Sequence, residues 1–212
     1  MATDESDNGQ SKQKTIFPLP PPQYDGPLSL EKAIKLRRSI RRFSAEPLKL
    51  NDVAQILWAS QGITGSGGRR TSPSAGALYP LEIYLVSGRV SGLHAGIYRY
   101  QPDGHNLARI SVGDTRMKLA QASLRQNAIV NAPATIAIFA VFERTTIKYG
   151  NRGERYVHIE AGHAAQNICL QAVALSLRSV VIGAFQDGEV KRVVGSKGSE
   201  QPLYLIPIGK PE

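Results

Sequence analysis

The chain has 212 residues, 42% hydrophobic and 20% charged, which suits one folded domain able to bury a core without disulfide staples. Its single cysteine, Cys169, excludes an internal disulfide and any multi-cysteine metal or iron–sulfur site. The formal net charge is +9; residues 1–27 hold Asp4, Glu5, Asp7 and Asp25 against Lys12 and Lys14, a net of −2, so the remainder carries +11, a surplus that suits an anionic ligand, nucleic acid or an acidic membrane surface without choosing among them.

Residues 1–15, polar and without an apolar period, read as a disordered tail. The opening MATDESDNGQSKQK is acidic where a signal peptide is basic and then apolar, and no run of 18 apolar residues follows, so a cytoplasmic protein without a membrane span is expected. Residues 16–27 (IFPLPPPQYDGP) form a proline-rich extended arm, with Ile16, Phe17 and Leu19 as its anchors on the body or a partner subunit. The folded domain spans residues 28–212. Ser29 caps a first helix whose stripe is Leu30, Ala33, Ile34 and Leu36, ending near Arg37. Leu50 to Gln61 predicts a second helix with Asn51 as its cap, and Gly62 to Gly76 a loop rich in Gly, Ser, Arg and Thr.

Strands are predicted at Leu81 to Ser87 and Gly96 to Tyr100, and a helix at Asp114 to Arg125. Ala134 to Val141 is continuously apolar, as in a strand buried on both faces. Arg155 to Leu177 is the longest periodic helix, with a stripe of small residues at Gly162, Ala165, Cys169, Ala172 and Ser176 that allows close packing inside the subunit or across a dimer. A strand at Ser179 to Ala184, a short helix from Asp187 to Val194 and a strand at Leu203 to Ile208 complete an order that reads as α+β.

Two stretches carry candidate chemistry. Arg37-Arg38-Ser39-Ile40-Arg41-Arg42 sets four guanidinium groups within six residues; it reads equally as a phosphate clamp or a solvated helix end, and less well as a nucleic-acid patch, since aromatic interleaving is missing. Arg69 to Pro80 (RRTSPSAGALYP) is a small-residue loop that lets a planar ligand approach the backbone. Gly65-Ser66-Gly67-Gly68 before it follows a helix and lacks the spacing of a dinucleotide fingerprint. Glu160 and His163 match half of a di-iron site, but no second half is present, so no metal is expected.

RRSIRRF followed by PSAGALYPLEIYL resembles the nitroreductase superfamily of FMN enzymes, and within it the SagB-type dehydrogenases, which include thiazoline/oxazoline oxidases. KYGNRGERYVHIEAGHAAQNICLQAVAL, Gln126 to Pro133, VVIGAFQD and PLYLIPIGKPE agree in order and spacing, from Pro18 to Glu212. The resemblance implies a mostly antiparallel central sheet flanked by helices, bound FMN and a homodimer with each flavin where two subunits meet. By position, Arg37, Arg38, Ser39 and Arg41 are implied to hold the phosphate, ribityl chain and O2 edge of the ring, and Lys210 to reach the phosphate. Ser74, Ala75, Gly76 and Leu78 fall in the second flavin-contacting loop, while Gly183 and Ala184 bring a backbone N–H toward flavin N5. Ala77 and Tyr79 stand where the commoner pattern has Asn and Gln, which favours the SagB-type branch.

The same resemblance implies proton chemistry for Lys148-Tyr149, against the plain alternative of a surface loop. The function implied is FMN-dependent dehydrogenation of an azoline-like, small-molecule or peptide-derived substrate. An NAD(P)H-dependent nitro/quinone reductase is the first alternative and a non-catalytic flavin-binding protein the second; no nucleic-acid or membrane partner is expected.

Overall fold

Seven residues from Ala134 to Ala140 are buried on both faces, and the molecule is built around the strand they form. The computed structural model describes residues 15–212; the tail predicted for residues 1–15 lies almost wholly outside them. In chain order the elements are β1 (Ile16–Pro18), α1 (Leu30–Leu36), β2 (Leu48–Lys49), α2 (Leu50–Gln61), β3 (Ile63–Gly65) and β4 (Arg69–Arg70). Then come β5 (Leu81–Ser87), β6 (Val90–Ser91), β7 (Gly96–Gln101), β8 (Asn106–Val112), α3 (Arg116–Ala122), α4 (Asn127–Asn131) and β9 (Ala134–Ala140). The chain closes with α5 (Glu143–Tyr149), α6 (Arg152–Ala174), β10 (Arg178–Ser179), α7 (Asp187–Val194) and β11 (Gln201–Gly209).

Seven strands form one sheet in the order β1-β8-β7-β5-β9-β11-β10, with every neighbouring pair antiparallel. Side chains alternate across a strand, and the two faces feed two cores. Leu81, Ile83, Leu85, Ile136 and Ile138 pack with α2 and with Val157, Ala161, Ala164 and Ile168 of α6. Tyr84, Val86, Ala137 and Phe139 pack on the opposite face with Leu119 of α3, Ile129 of α4, and Val190 and Val194 of α7. The result is α+β, an antiparallel sheet between helical layers, as expected. None of the described helices is long and apolar enough to cross a membrane.

The proline-rich stretch extends along the body. Phe17 lies edge-on to Tyr98, with ring centroids 5.6 Å apart, and the Gln55 side chain bonds the backbone of Gln23 at both its N–H and its carbonyl. Several boundaries differ from the sequence reading. Asn51 is not a cap: β2 runs straight into α2, and Lys49 ends the extended backbone without a side-chain bond. The helix predicted over 114–125 stops at Ala122, because Leu124 and Arg125 turn into left-handed conformation. The strand predicted over 179–184 pairs only at Arg178–Ser179 and again at Ile182. The apolar stripe of α1 buries Ala33 alone, leaving Leu30, Ile34 and Leu36 61%, 55% and 48% exposed.

The α5–α6 corner matters most for the site, and Gly153 makes it tight. A methyl group there would lie 2.8 Å from Thr146 Cα and 2.9 Å from its nitrogen. Gly153→Ala should therefore cost about 1–3 kcal/mol in urea unfolding, although alanine is the better helix former. A stability equal to or above the wild type would show that the corner is not close-packed.

Candidate functional site

The stretch predicted as a loop from Gly62 to Gly76 contains the antiparallel pair β3–β4, and the chain is pinned where that pair closes. Thr71 N–H donates to the Gly62 carbonyl at 2.9 Å, Ser72 Oγ donates to the Ser60 carbonyl at 2.9 Å, and Asn167 Nδ2 of α6 reaches Ser72 Oγ at 3.2 Å. Beyond that anchor Ser74 to Tyr79 makes a turn in which Tyr79 N–H donates to Ser74 Oγ at 2.9 Å. Arg144 Nη1 donates to the Tyr79 carbonyl at 3.1 Å, and its other nitrogen pairs with Glu82 at 2.5 Å. The turn is thereby tied to the first residues of α5 and to β5.

Lys148 and Tyr149 end α5, so they belong to a helix and not to a surface loop. Both side chains lie against the turn. A methyl group on Gly76 would sit 2.8 Å from Tyr149 Oη and 3.0 Å from Lys148 Nζ. Gly76 also has φ +64°, so glycine is needed there both for conformation and for room. Tyr149 is held edge-on to Tyr156 at 5.2 Å. Ser74, Ala75, Tyr156, Ile159, Glu160 and His163 line a cavity of about 220 Å³ beside the turn.

The arginine segment sits elsewhere. Ile40 N–H donates to the Ser179 carbonyl at 3.0 Å, which lays residues 37–43 beside the strand leading to Gly183 and Ala184. Arg37 comes near enough to Cys169 that its charge opposes the upward push of burial on that thiol, as does the Ser179 hydroxyl. Arg38 folds back, donating to the carbonyls of Lys35 and Arg37, so its fork caps its own helix. Lys210 is paired with Glu46. Ser39 and Arg41 are exposed, and no carboxylate among the described residues pairs with Arg37, Arg38, Arg41 or Arg42. Gly183 lines a cavity of about 360 Å³ with His158, Ala161 and Tyr204.

The sequence-derived residues thus assemble into two groups. Gly76, in the turn that also holds Ser74, Ala75 and Leu78, meets Lys148 and Tyr149; Ser39 and Ile40, in the arginine segment, pair with Ser179. The two groups are not brought together in this chain. The first cavity uses Tyr156, Ile159, Glu160 and His163 of α6 and the second uses His158 and Ala161, which at 3.6 residues per turn are opposite faces of the helix.

Glu160 was legible in the sequence only as half of a metal motif. It is 2% exposed, and burial pushes its carboxyl up to about 7 against bonds from Ser74 and Gln61 and the charge of Arg70. Among the described residues no three His, Cys, Asp or Glu side chains are grouped to hold a metal ion. The small-residue stripe divides: Ala165, Cys169 and Ala172 are buried within the chain's own fold, while Gly162 and Ser176 are exposed.

Comparison with known proteins gives this geometry a context. The sequence model of the nitroreductase family matches residues 34–210. A relative from Methanocaldococcus jannaschii, provisionally named a nitroreductase, is 44% identical over 183 residues, 86% of this chain and 91% of that one. The microcin B17-processing protein McbC of Escherichia coli is 29% identical over 131 residues, 59% of this chain and 48% of its own, so the chain spans about half of that relative. A crystal structure from Anabaena variabilis, likewise provisionally called a nitroreductase, superimposes with a TM-score of 0.83 at 29% identity, over 94% of this chain and 42% of that one.

Proposed function

This chain belongs to the nitroreductase family, and from that premise we propose that it is a homodimeric, FMN-dependent oxidoreductase of the SagB type that dehydrogenates an azoline-like or peptide-derived substrate. The observation that carries the reading is the contact of Lys148 Nζ and Tyr149 Oη with the Gly76 turn. It sets two proton-exchanging groups on the loop against which a flavin ring and its substrate would lie. When bound, the flavin would supply the two-electron oxidising power. Converting an azoline to an azole also removes a carbon-bound proton, so the chain itself has to supply a base within reach, and this pair is that base. The relative McbC, named for processing microcin B17, supports a peptide-derived substrate.

The residues present fit the cofactor. Guanidinium groups at Arg37 and Arg41 with the Ser39 hydroxyl suit a phosphate dianion in charge and in donor geometry. At Gly183 an added methyl group would meet only the Tyr204 ring, at 3.6 Å, so the exposed backbone there leaves room for a flat ring. The division of the site supports the homodimer. A helix with its side chains is about 10–12 Å across, and the two groups flank α6 in one subunit. A second copy would bring the arginine group of one chain to the Lys148-Tyr149 group of the other, and would cover Leu30, Ile34 and Leu36.

The purified protein, soaked in excess FMN and desalted, should keep one flavin per subunit and be bleached without oxygen by an azoline-containing peptide. Rapid bleaching by NAD(P)H alone would favour the nitro/quinone reductase instead. A preparation that stays colourless would end the cofactor assignment.

A further inference from the structure

Apolar packing gives α5 little purchase. Of its seven residues only Thr145 is buried, and Ile147 is 86% exposed. A helix this short draws its stability from tertiary contacts, so with one small side chain buried, polar bonds must place it. Arg144 supplies them from the first turn. Its Nη1 donates to the Tyr79 carbonyl at 3.1 Å and its Nη2 to Glu82 Oε1 at 2.5 Å. The other oxygen of Glu82 accepts from Arg99 of β7, with Nη2 at 2.6 Å and Nε at 3.0 Å. Arg99 also lies 3.7 Å from Glu200, which accepts from the buried Tyr84 hydroxyl at 2.6 Å. Glu82 is therefore a fixed point on the sheet, and the Arg144 fork is braced against it.

The brace matters because of what it spans. Tyr79 closes the turn that begins at Ser74, and at φ 46° it stands in a region disfavoured for a residue bearing a Cβ. Arg144 holds its carbonyl, and the Arg70 guanidinium covers its ring at 4.5 Å. Lys148 follows Arg144 by four positions, about one helical turn along the same face. α5 thus meets the turn at two places, Arg144 on Tyr79 and the Lys148-Tyr149 pair at Gly76. Two points fix the angle of a helix against a loop; one does not. Ser199 Oγ also donates to Glu143 at 3.0 Å, but that bond does not reach the turn.

We propose that Arg144 is a positioning residue: its fork, braced on Glu82, sets where Lys148 and Tyr149 stand against the Gly76 turn, and so against the substrate. The functional half of this rests on reading the pair as the base of a dehydrogenase; the anchoring half does not. Arginine suits the task because one planar group donates at once to a carbonyl and a carboxylate, whereas a lysine ammonium is a point charge.

A mutant cycle tests the functional half. Arg144→Met keeps the stem and loses the fork, at a side chain 39% exposed. It should lower kcat for a thiazoline-containing peptide about 10–10²-fold, the scale of a misplacement near 1 Å, with KM and FMN retention within about twofold. In a Lys148→Ala background the same substitution should cost no more than about twofold further, since no amine is left to aim. A helix merely loosened would add its loss in both backgrounds. Amide hydrogen exchange on the flavin-free protein tests the anchor. Protection at the Thr146 and Gly150 N–H groups, which donate to the Phe142 and Thr146 carbonyls, should fall about tenfold in Arg144→Met while β9 is unchanged. Arg144→Lys, which keeps the charge without the fork, decides by the same two readings should Arg144→Met not fold. Wild-type exchange along α5, or losses that add in the cycle, overturns the proposal. If no thiazoline is turned over at all, the dehydrogenase reading fails by itself and the exchange result still decides the anchor.

Discussion

Lys148→Ala should lower kcat for azoline dehydrogenation by about 10²–10⁴-fold, the usual contribution of a positioned acid–base group, while the protein stays as yellow as the wild type. The two halves of that expectation come from different parts of the molecule. Lys148 is exposed at the last turn of α5, so removing its amine empties no core. The arginine group that would hold the phosphate lies by Ser179 and Cys169, away from the Gly76 turn, so retention of the flavin should hardly change. Tyr149→Phe keeps the edge-on contact with Tyr156 and deletes only the hydroxyl facing Gly76. It should slow turnover comparably, and the double variant should be little worse than either, because groups that act as one unit are not additive. Full turnover in Lys148→Ala, measured as azole formation at saturating substrate, would remove the base from the reading.

Arg37 to Arg41 and Ser74 to Leu78 are contiguous stretches of unusual composition, visible locally, whereas Lys148-Tyr149 was singled out only by the family resemblance and Glu160 by neither. Glu160 meets Gln61 across 99 positions, and a buried glutamate looks in sequence like any polar residue on a helix. The same limit governed the fold. Ala134–Ala140 and Asp187–Val194 were legible because an apolar run bounded by proline, and an amphipathic turn ended by Gly195, are local signals. β8 (NLARISV) alternates poorly, with Leu107 and Ala108 buried side by side, and was missed. α5 (ERTTIKY) buries only Thr145, so no stripe announced it. In α1 the period was read correctly but its destination was not, since Leu30, Ile34 and Leu36 are exposed and only Ala33 is buried.

The double substitution Arg37→Ala with Arg41→Ala should weaken FMN binding by about 10²–10³-fold, in keeping with loss of charge-assisted hydrogen bonds to a phosphate. Riboflavin, which lacks the phosphate, should change its affinity by no more than about threefold, since nothing charged is lost to it. The structure also ranks the cations within the sequence-derived set. Arg38 spends one of its guanidinium nitrogens on the carbonyls of Lys35 and Arg37, and Lys210 is engaged by Glu46. Arg38→Ala and Lys210→Ala should therefore weaken FMN less than either Arg37→Ala or Arg41→Ala. Salt should erode the wild-type preference for FMN over riboflavin, because exposed charges are screened within about 10 Å at 0.1 M. Titration of each variant by flavin fluorescence separates the outcomes. An equal loss for FMN and riboflavin would mean that the arginines support the ring or the fold. No loss for either would mean that the phosphate is held by other residues.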